Sequence, residues 1–191
     1  MNIKIAFGII AGILTLIGYY PYFKDIFKKK TTPHLYTWLI WGITQGTATI
    51  AALYGGANFG ALSLSIGTIL VAIIFILCFK YGTRDITKSD TVTLIIALFA
   101  IAVWWILHNA LLSVIIVATI DAIGYIPTFR KSFRDPFSET LWFWATMTIV
   151  NILSFIAIEN YNFLTVIYPI ILVTGNFAVW IICFVRRKTI S

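Results

Sequence analysis

The chain has 191 residues, of which 60% are hydrophobic and 11% charged, with a net charge of +7 and a mean hydropathy of +0.95. A soluble domain is about half apolar and about a quarter charged, so the composition excludes a water-soluble fold: there are too few charges to cover the apolar side chains. At about 20 apolar residues per crossing, the length holds seven or eight spanning helices and leaves no room for a soluble catalytic domain.

Apolar runs bounded by charges and turn residues predict seven spans. The first, residues 3–23, follows Lys4 and superficially resembles a secretory signal; it continues into Gly18-Tyr19-Tyr20-Pro21 without a small-residue cleavage site and reads as a retained span. The second, 35–54, stops at Gly55-Gly56 and Asn58, and the third, 59–79, stops before Gly82 and Asp85. The fourth and fifth, 91–107 and 110–129, divide at His108-Asn109, because an uninterrupted run of about 38 residues is too long for one crossing. The sixth, 140–158, follows Pro136, and the seventh, 163–185, follows Asn160 and Asn162. Cys78 and Cys183, near the ends of apolar runs, read as small buried hydrophobes with no disulfide framework.

Charge sets the expected orientation. Of the 14 basic residues, 13 fall after the first, third, fifth and seventh spans: Lys24, Lys28, Lys29, Lys30, Lys80, Arg84, Lys88, Arg130, Lys131, Arg134, Arg186, Arg187 and Lys188. The other face carries Lys4, Glu159 and neutral turns. Basic connections stay in the cytoplasm, so the N-terminus is expected outside and the C-terminus inside. An eighth span, or a fused fourth and fifth, would scatter these charges over both faces. Such loops sit against anionic headgroups, and the net charge calls for no nucleic acid.

The sequence also repeats. At an offset of 106, Gly18 meets Gly124, Tyr19 meets Tyr125, Pro21 meets Pro127, Phe23 meets Phe129 and Lys24 meets Arg130. The same offset pairs Phe27 with Phe133, Lys28 with Arg134, Trp38 with Trp144, and the mid-span amides Gln45 and Asn151. Apolar matches recur by chance in any membrane protein; Gly-Tyr-x-Pro-x-Phe-basic at both sites, with an aligned Trp, indicates duplication. An odd linker helix between the copies makes them parallel repeats about an axis along the membrane normal, a plan that places substrate sites between repeats near the midplane. The expected division is 1–80 for the first three-helix unit, 81–109 for the linker helix and 110–191 for the second unit.

With this 3+1+3 plan and its repeated proline, the chain resembles the PQ-loop superfamily, which includes SWEET sugar transporters, their three-helix half-size relatives and lysosomal amino-acid exporters. The family's proline stands twice, as Pro21 and Pro127, while Tyr22 and Thr128 replace the following glutamine. The resemblance implies pocket tryptophans on the second helix of each repeat, for which Trp41 and Trp144 are available, and asparagines on the third. Asn176 supplies the second of these; Leu70 stands at the first.

Asp121 is the expected coupling residue. It lies about eight residues, roughly 12 Å of helix, inside the cytoplasmic end of the fifth span. A carboxylate at such depth costs at least about 2.5 kcal/mol and marks ion or proton pathways. Tyr125 and Thr128 share its helix face, and the repeat partner of Asp121 is Thr15. The alternative role is a hydrogen-bond clamp between helices. Gln45, Asn151 and Asn176 are candidate substrate contacts or interhelical glue. Trp41 and Trp144 are candidate pocket walls or packing residues, while Trp104, Trp105, Trp142 and Tyr168 are assigned to the interfacial belt. Pro21 and Pro127 read as hinges near the cytoplasmic gate, or as simple helix stops. His34 and His108 have no second ligand at metal spacing, and neither a cofactor motif nor an enzyme constellation is present.

The expectation is therefore an all-α membrane protein of seven transmembrane helices, not an enzyme, in a prokaryotic plasma membrane. Its expected role is to move a small polar solute (sugar, amino acid or related metabolite) by alternating access. The lipid bilayer and the solute are the expected partners, and a homo-oligomer is compatible with the sequence. The alternative is a heptahelical ligand-binding receptor or sensor without transport.

Overall fold

The computed structural model describes residues 3–29, 33, 35–82, 88–107, 109–134, 136–139 and 141–190, and these are almost wholly helical. The helices are α1 (Ile3–Phe27), α2 (Leu35–Tyr54), α3 (Leu62–Tyr81), α4 (Lys88–Leu107), α5 (Ala110–Arg134), α6 (Leu141–Ala157) and α7 (Phe163–Ile190). Short 3-10 turns occupy Asn58–Ala61 and Pro136–Ser138. Among the described residues three segments are long and apolar enough to cross a membrane: Ile3–Phe27, Asn58–Tyr81 and Phe163–Thr189.

Polarity is arranged for lipid. Large apolar side chains such as Ile13, Ile17, Ile69, Ile76, Phe99 and Ile123 are exposed, whereas Thr15, Thr44, Ser63, Asp121, Ser154 and Asn176 are buried. An apolar coat of this extent on a soluble protein would be an aggregation liability. Many of the buried hydroxyls bond their own helix: Thr15 to Ala11 O at 2.8 Å, Thr47 to Ile43 O at 2.8 Å and Thr49 to Gln45 O at 2.7 Å.

Helix ends follow local chemistry. Asn109 precedes α5 and its Oδ1 accepts the Leu112 amide at 2.9 Å, an N-cap that separates α4 from α5 at the expected break. Asn162 caps α7 by accepting the Leu164 amide at 3.0 Å, while its own amide donates to Thr165 Oγ1 at 3.0 Å. Gly56, at φ +81°, makes the turn after α2, a conformation that costs glycine nothing.

The helix α3 begins at Leu62, after the Asn58–Ala61 turn, where the sequence expectation began at residue 59, and four further helix ends depart from that expectation. α1 continues through Pro21 to Phe27, α5 through Pro127 to Arg134, and α7 past Val185 to Ile190, while α4 begins at Lys88. Charged residues mark where apolarity stops, not where the helical hydrogen-bond ladder stops, so these ends project beyond the apolar runs. Pro21 is therefore not a stop. The side chain of Pro127 lies outside the described residues, as do Lys30, Arg84 and His108.

Packing places α1 against α3 and α6, and α5 against α7 and α2. α2 also packs on α3, and α6 on α7. Among the described residues α4 touches only α2 and α5, at the periphery. At the end carrying the N-terminus, the connection 55–58 is bonded to the connection 158–162. Asn162 Nδ2 donates to Gly55 O at 2.7 Å, Asn58 Nδ2 to Glu159 Oε2, and Lys4 Nζ to Ile158 O at 2.8 Å. Beneath them Ala52, Ala57, Ala61 and Ile158 form an apolar plug, and Ser63 and Ser154 share a buried hydrogen bond.

Candidate functional site

Six of the helices, all but α4, surround one cavity of about 120 Å³. Each of α1, α2, α3, α5, α6 and α7 contributes at least two residues to its wall. Every candidate substrate contact from the sequence lies on it: Gln45, Trp41, Trp144, Asn151 and Asn176, together with Asp121, Tyr125 and Thr128. Because α5 reaches Arg134, Asp121 sits near the middle of its helix.

Asp121 is buried, and its Oδ2 accepts a short hydrogen bond from Tyr168 Oη across the α5–α7 contact. Oδ1 has no hydrogen-bond partner among the described residues. The Thr44 hydroxyl, from α2, also approaches this carboxyl group. A buried polar oxygen left unbonded is costly in any low-dielectric setting, so Asp121, a residue of the cavity lining, keeps one unpartnered acceptor among the described residues.

Tyr168 corrects the interfacial assignment. It is 1% exposed, packed among Ala48, Ala51, Val114, Val117 and Ala118, and committed to Asp121. An aromatic hydroxyl near a predicted helix start satisfies a belt pattern and a core pattern equally; what tells them apart is that an intramembrane carboxylate needs a donor. Trp142, at 66% exposed, does face outward. The side chains of Trp104 and Trp105 lie outside the described residues.

The amides divide by role. Gln45 Nε2 crosses from α2 to Leu64 O on α3 at 3.3 Å, in room left by Gly67. Asn151 Nδ2 folds back onto Met147 O of its own helix at 2.7 Å. Asn176 Oδ1 accepts Tyr125 Oη at 2.8 Å, and Gly175 beside it leaves the space in which the Tyr125 ring lies. Trp144 Nε1 donates to Glu139 Oε2 at 3.0 Å, which fixes the indole on the wall. Trp41 packs edge-to-face on Trp38 with centroids 5.3 Å apart and is 39% exposed.

The rest of the wall was not singled out from the sequence. Tyr19 and Phe143 meet edge-on at 6.0 Å, and Phe143 meets Trp144 at 5.4 Å. Tyr19 and Tyr125 stand at the sequence offset of 106, and that match was the available signal. Among the described residues no group of three His, Cys, Asp or Glu side chains is placed to hold a metal.

The fold and the cavity define a class: an all-helical protein with membrane-length apolar helices and a chamber between helices lined by aromatic and apolar side chains with a few amides and one carboxyl group. Comparisons with family models, with curated proteins and with solved structures find no match.

Proposed function

We propose that the protein is a membrane transporter of a small polar solute, working by alternating access around the Asp121 cavity. The observation that carries this reading is the cavity's composition in repeat-matched pairs. Thr15 and Asp121, Tyr19 and Tyr125, Trp41 and Met147, and Gln45 and Asn151 are each related by the offset of 106, and all eight residues line the one chamber. Two copies facing each other across a pseudo-twofold axis deliver matched positions to the same central space.

The packing agrees with that relation. The pair α1–α6 corresponds to α5–α2, α1–α3 to α5–α7, and α2–α3 to α6–α7. Peripheral α4 suits an inverting linker in a 3+1+3 plan of seven spans, with units at 1–80 and 110–191 joined by 81–109. The segregated basic residues favour an outer N-terminus and a cytoplasmic C-terminus in a prokaryotic plasma membrane. In this reading the bonded 55–58 and 158–162 connections close the outer end, and Pro21 and Pro127 lie toward the inner gate. Asp121 is the coupling group: its carboxyl takes up and releases a proton as the chamber changes sides.

The test is solute flux into proteoliposomes, with Asp121→Asn beside the parent. Saturable flux whose pH dependence disappears in the variant supports the reading. Tight binding without flux points to a receptor on the same architecture, and an Asp121→Asn protein with unchanged rate and pH profile removes the coupling role.

A further inference from the structure

In charge the chamber's wall is one-sided. Among the described lining residues, six aromatic side chains, Tyr19, Trp41, Tyr125, Phe143, Trp144 and Tyr168, and three amides share it with one carboxylate, and none is Lys, Arg or His. Four of the rings form a continuous band across three helices. Tyr19 of α1 leads to Phe143 and Trp144 of α6 at centroid separations of 6.0 and 5.4 Å, and Trp144 leads to Tyr125 of α5 at 6.4 Å. Asp121 is one helical turn from Tyr125, with one oxygen held by Tyr168 and the other unpartnered among the described residues.

From this arrangement we infer that the solute is a small organic cation, an ammonium compound whose charge faces the Asp121 carboxylate and whose carbon groups lie against the aromatic band. The inference deepens the transport reading and rests on the same chamber. The physical reasons are separate and converge. A lone buried carboxylate repels anions and gives neutral solutes only an acceptor, whereas it supplies an ammonium with its counter-charge. Ring faces attract cations within about 6 Å of their centroids, and such walls recognise substituted ammonium groups. Size narrows the class: 120 Å³ is of the same order as the roughly 150 Å³ cavity that takes up benzene, so a compact solute of about benzene's size suits the chamber better than a sugar ring with all its hydroxyls. A bare inorganic cation would need a shell of oxygens and would gain nothing from the aromatic band, so sodium ion is the control that separates the two classes.

The experiment is equilibrium binding to the purified full-length protein, followed by tryptophan fluorescence and by thermal stabilisation. The probes are tetramethylammonium, choline, ethanolamine, 3,3-dimethylbutan-1-ol (the uncharged carbon isostere of choline), sodium chloride and glucose. Choline or another ammonium probe is expected to bind at least tenfold more tightly than the isostere, and Asp121→Asn to lose at least tenfold of that affinity. Trp144→Leu, which keeps the carboxylate, should weaken choline more than ethanolamine. Equal binding of choline and its isostere, preference for sodium ion or glucose, or no binding by any ammonium probe overturns the inference. The isostere comparison uses the parent protein, so it stands even where a variant fails to fold. Flux of an uncharged solute without ammonium binding would sink this inference and leave transport intact; ammonium binding without flux would do the reverse.

Discussion

Replacing Tyr168 with phenylalanine isolates the bond that holds Asp121. The ring is 1% exposed and surrounded by small apolar side chains of α2 and α5, so the substitution keeps the packing volume and deletes one hydroxyl. Interhelical hydrogen bonds in membranes average about 0.6 kcal/mol and reach about 1.7, while bonds to a charged group in proteins lie at about 1.5–3. Asp121 is buried and its Oδ1 has no other partner among the described residues, so losing the Oδ2 bond leaves the carboxyl almost unsupported. A destabilisation of about 1.5–3 kcal/mol is expected, from the top of the membrane range upward, because the acceptor is a carboxyl group. The measurement is reversible unfolding in mixed micelles for Tyr168→Phe, Asp121→Ala and the double variant. Because both singles break the same contact, the double should cost less than their sum by about 1–2 kcal/mol. A Tyr168→Phe protein within about 0.5 kcal/mol of the parent, with additive energies, would refute the pairing.

Three other outcomes follow from the geometry. Gly175→Ala drives a Cβ into the Tyr125 ring, whereas at Gly46 an added Cβ meets only Thr68 Cγ2 at 3.8 Å; the first should cost about 1–3 kcal/mol as overpacking and disturb probe binding, and equal behaviour of the two variants would contradict the wall assigned to Tyr125. Asn162→Ala removes the bond to Gly55 O at the N-terminal end, and thiol labelling of a Ser63→Cys reporter from the outside should then rise several-fold; unchanged labelling would show that this bond does not hold the end shut. Cys78 and Cys183 are buried, so the background is low for a topology test: in intact cells Tyr54→Cys should react with an impermeant thiol reagent and Lys28→Cys should not, and the opposite pattern would invert the orientation.

The sequence was most legible where composition and chain geometry coincide. α2 runs from Leu35 to Tyr54 as expected because a paired glycine with one positive φ stops it. The α4–α5 break was readable because Asn109 is a capping residue beside an over-long apolar run. The C-terminal ends of α1, α5 and α7 were misplaced because basic residues are good helix formers; hydropathy reports the solvent a helix meets and is silent on whether the helix continues. The polar cavity residues were found through two rules, the cost of amides and carboxylates in lipid and the offset of 106, while Trp41 and Trp144 came from the family resemblance. Tyr168 escaped both: its repeat partner is Leu62, and an aromatic hydroxyl is inexpensive at an interface. It pairs with Asp121, whose own partner is Thr15, so the two departures from the repeat meet in one hydrogen bond.

Counterflow separates a transporter from a binding protein most directly. Proteoliposomes preloaded with the unlabelled solute that best stabilises the protein are diluted into its labelled form. A saturable, transient accumulation that exceeds protein-free liposomes and is accelerated by internal solute is the predicted result, because a chamber facing one side at a time exchanges fastest when loaded both ways. Labelled solute that binds stoichiometrically, with no internal accumulation and no acceleration, would contradict the account.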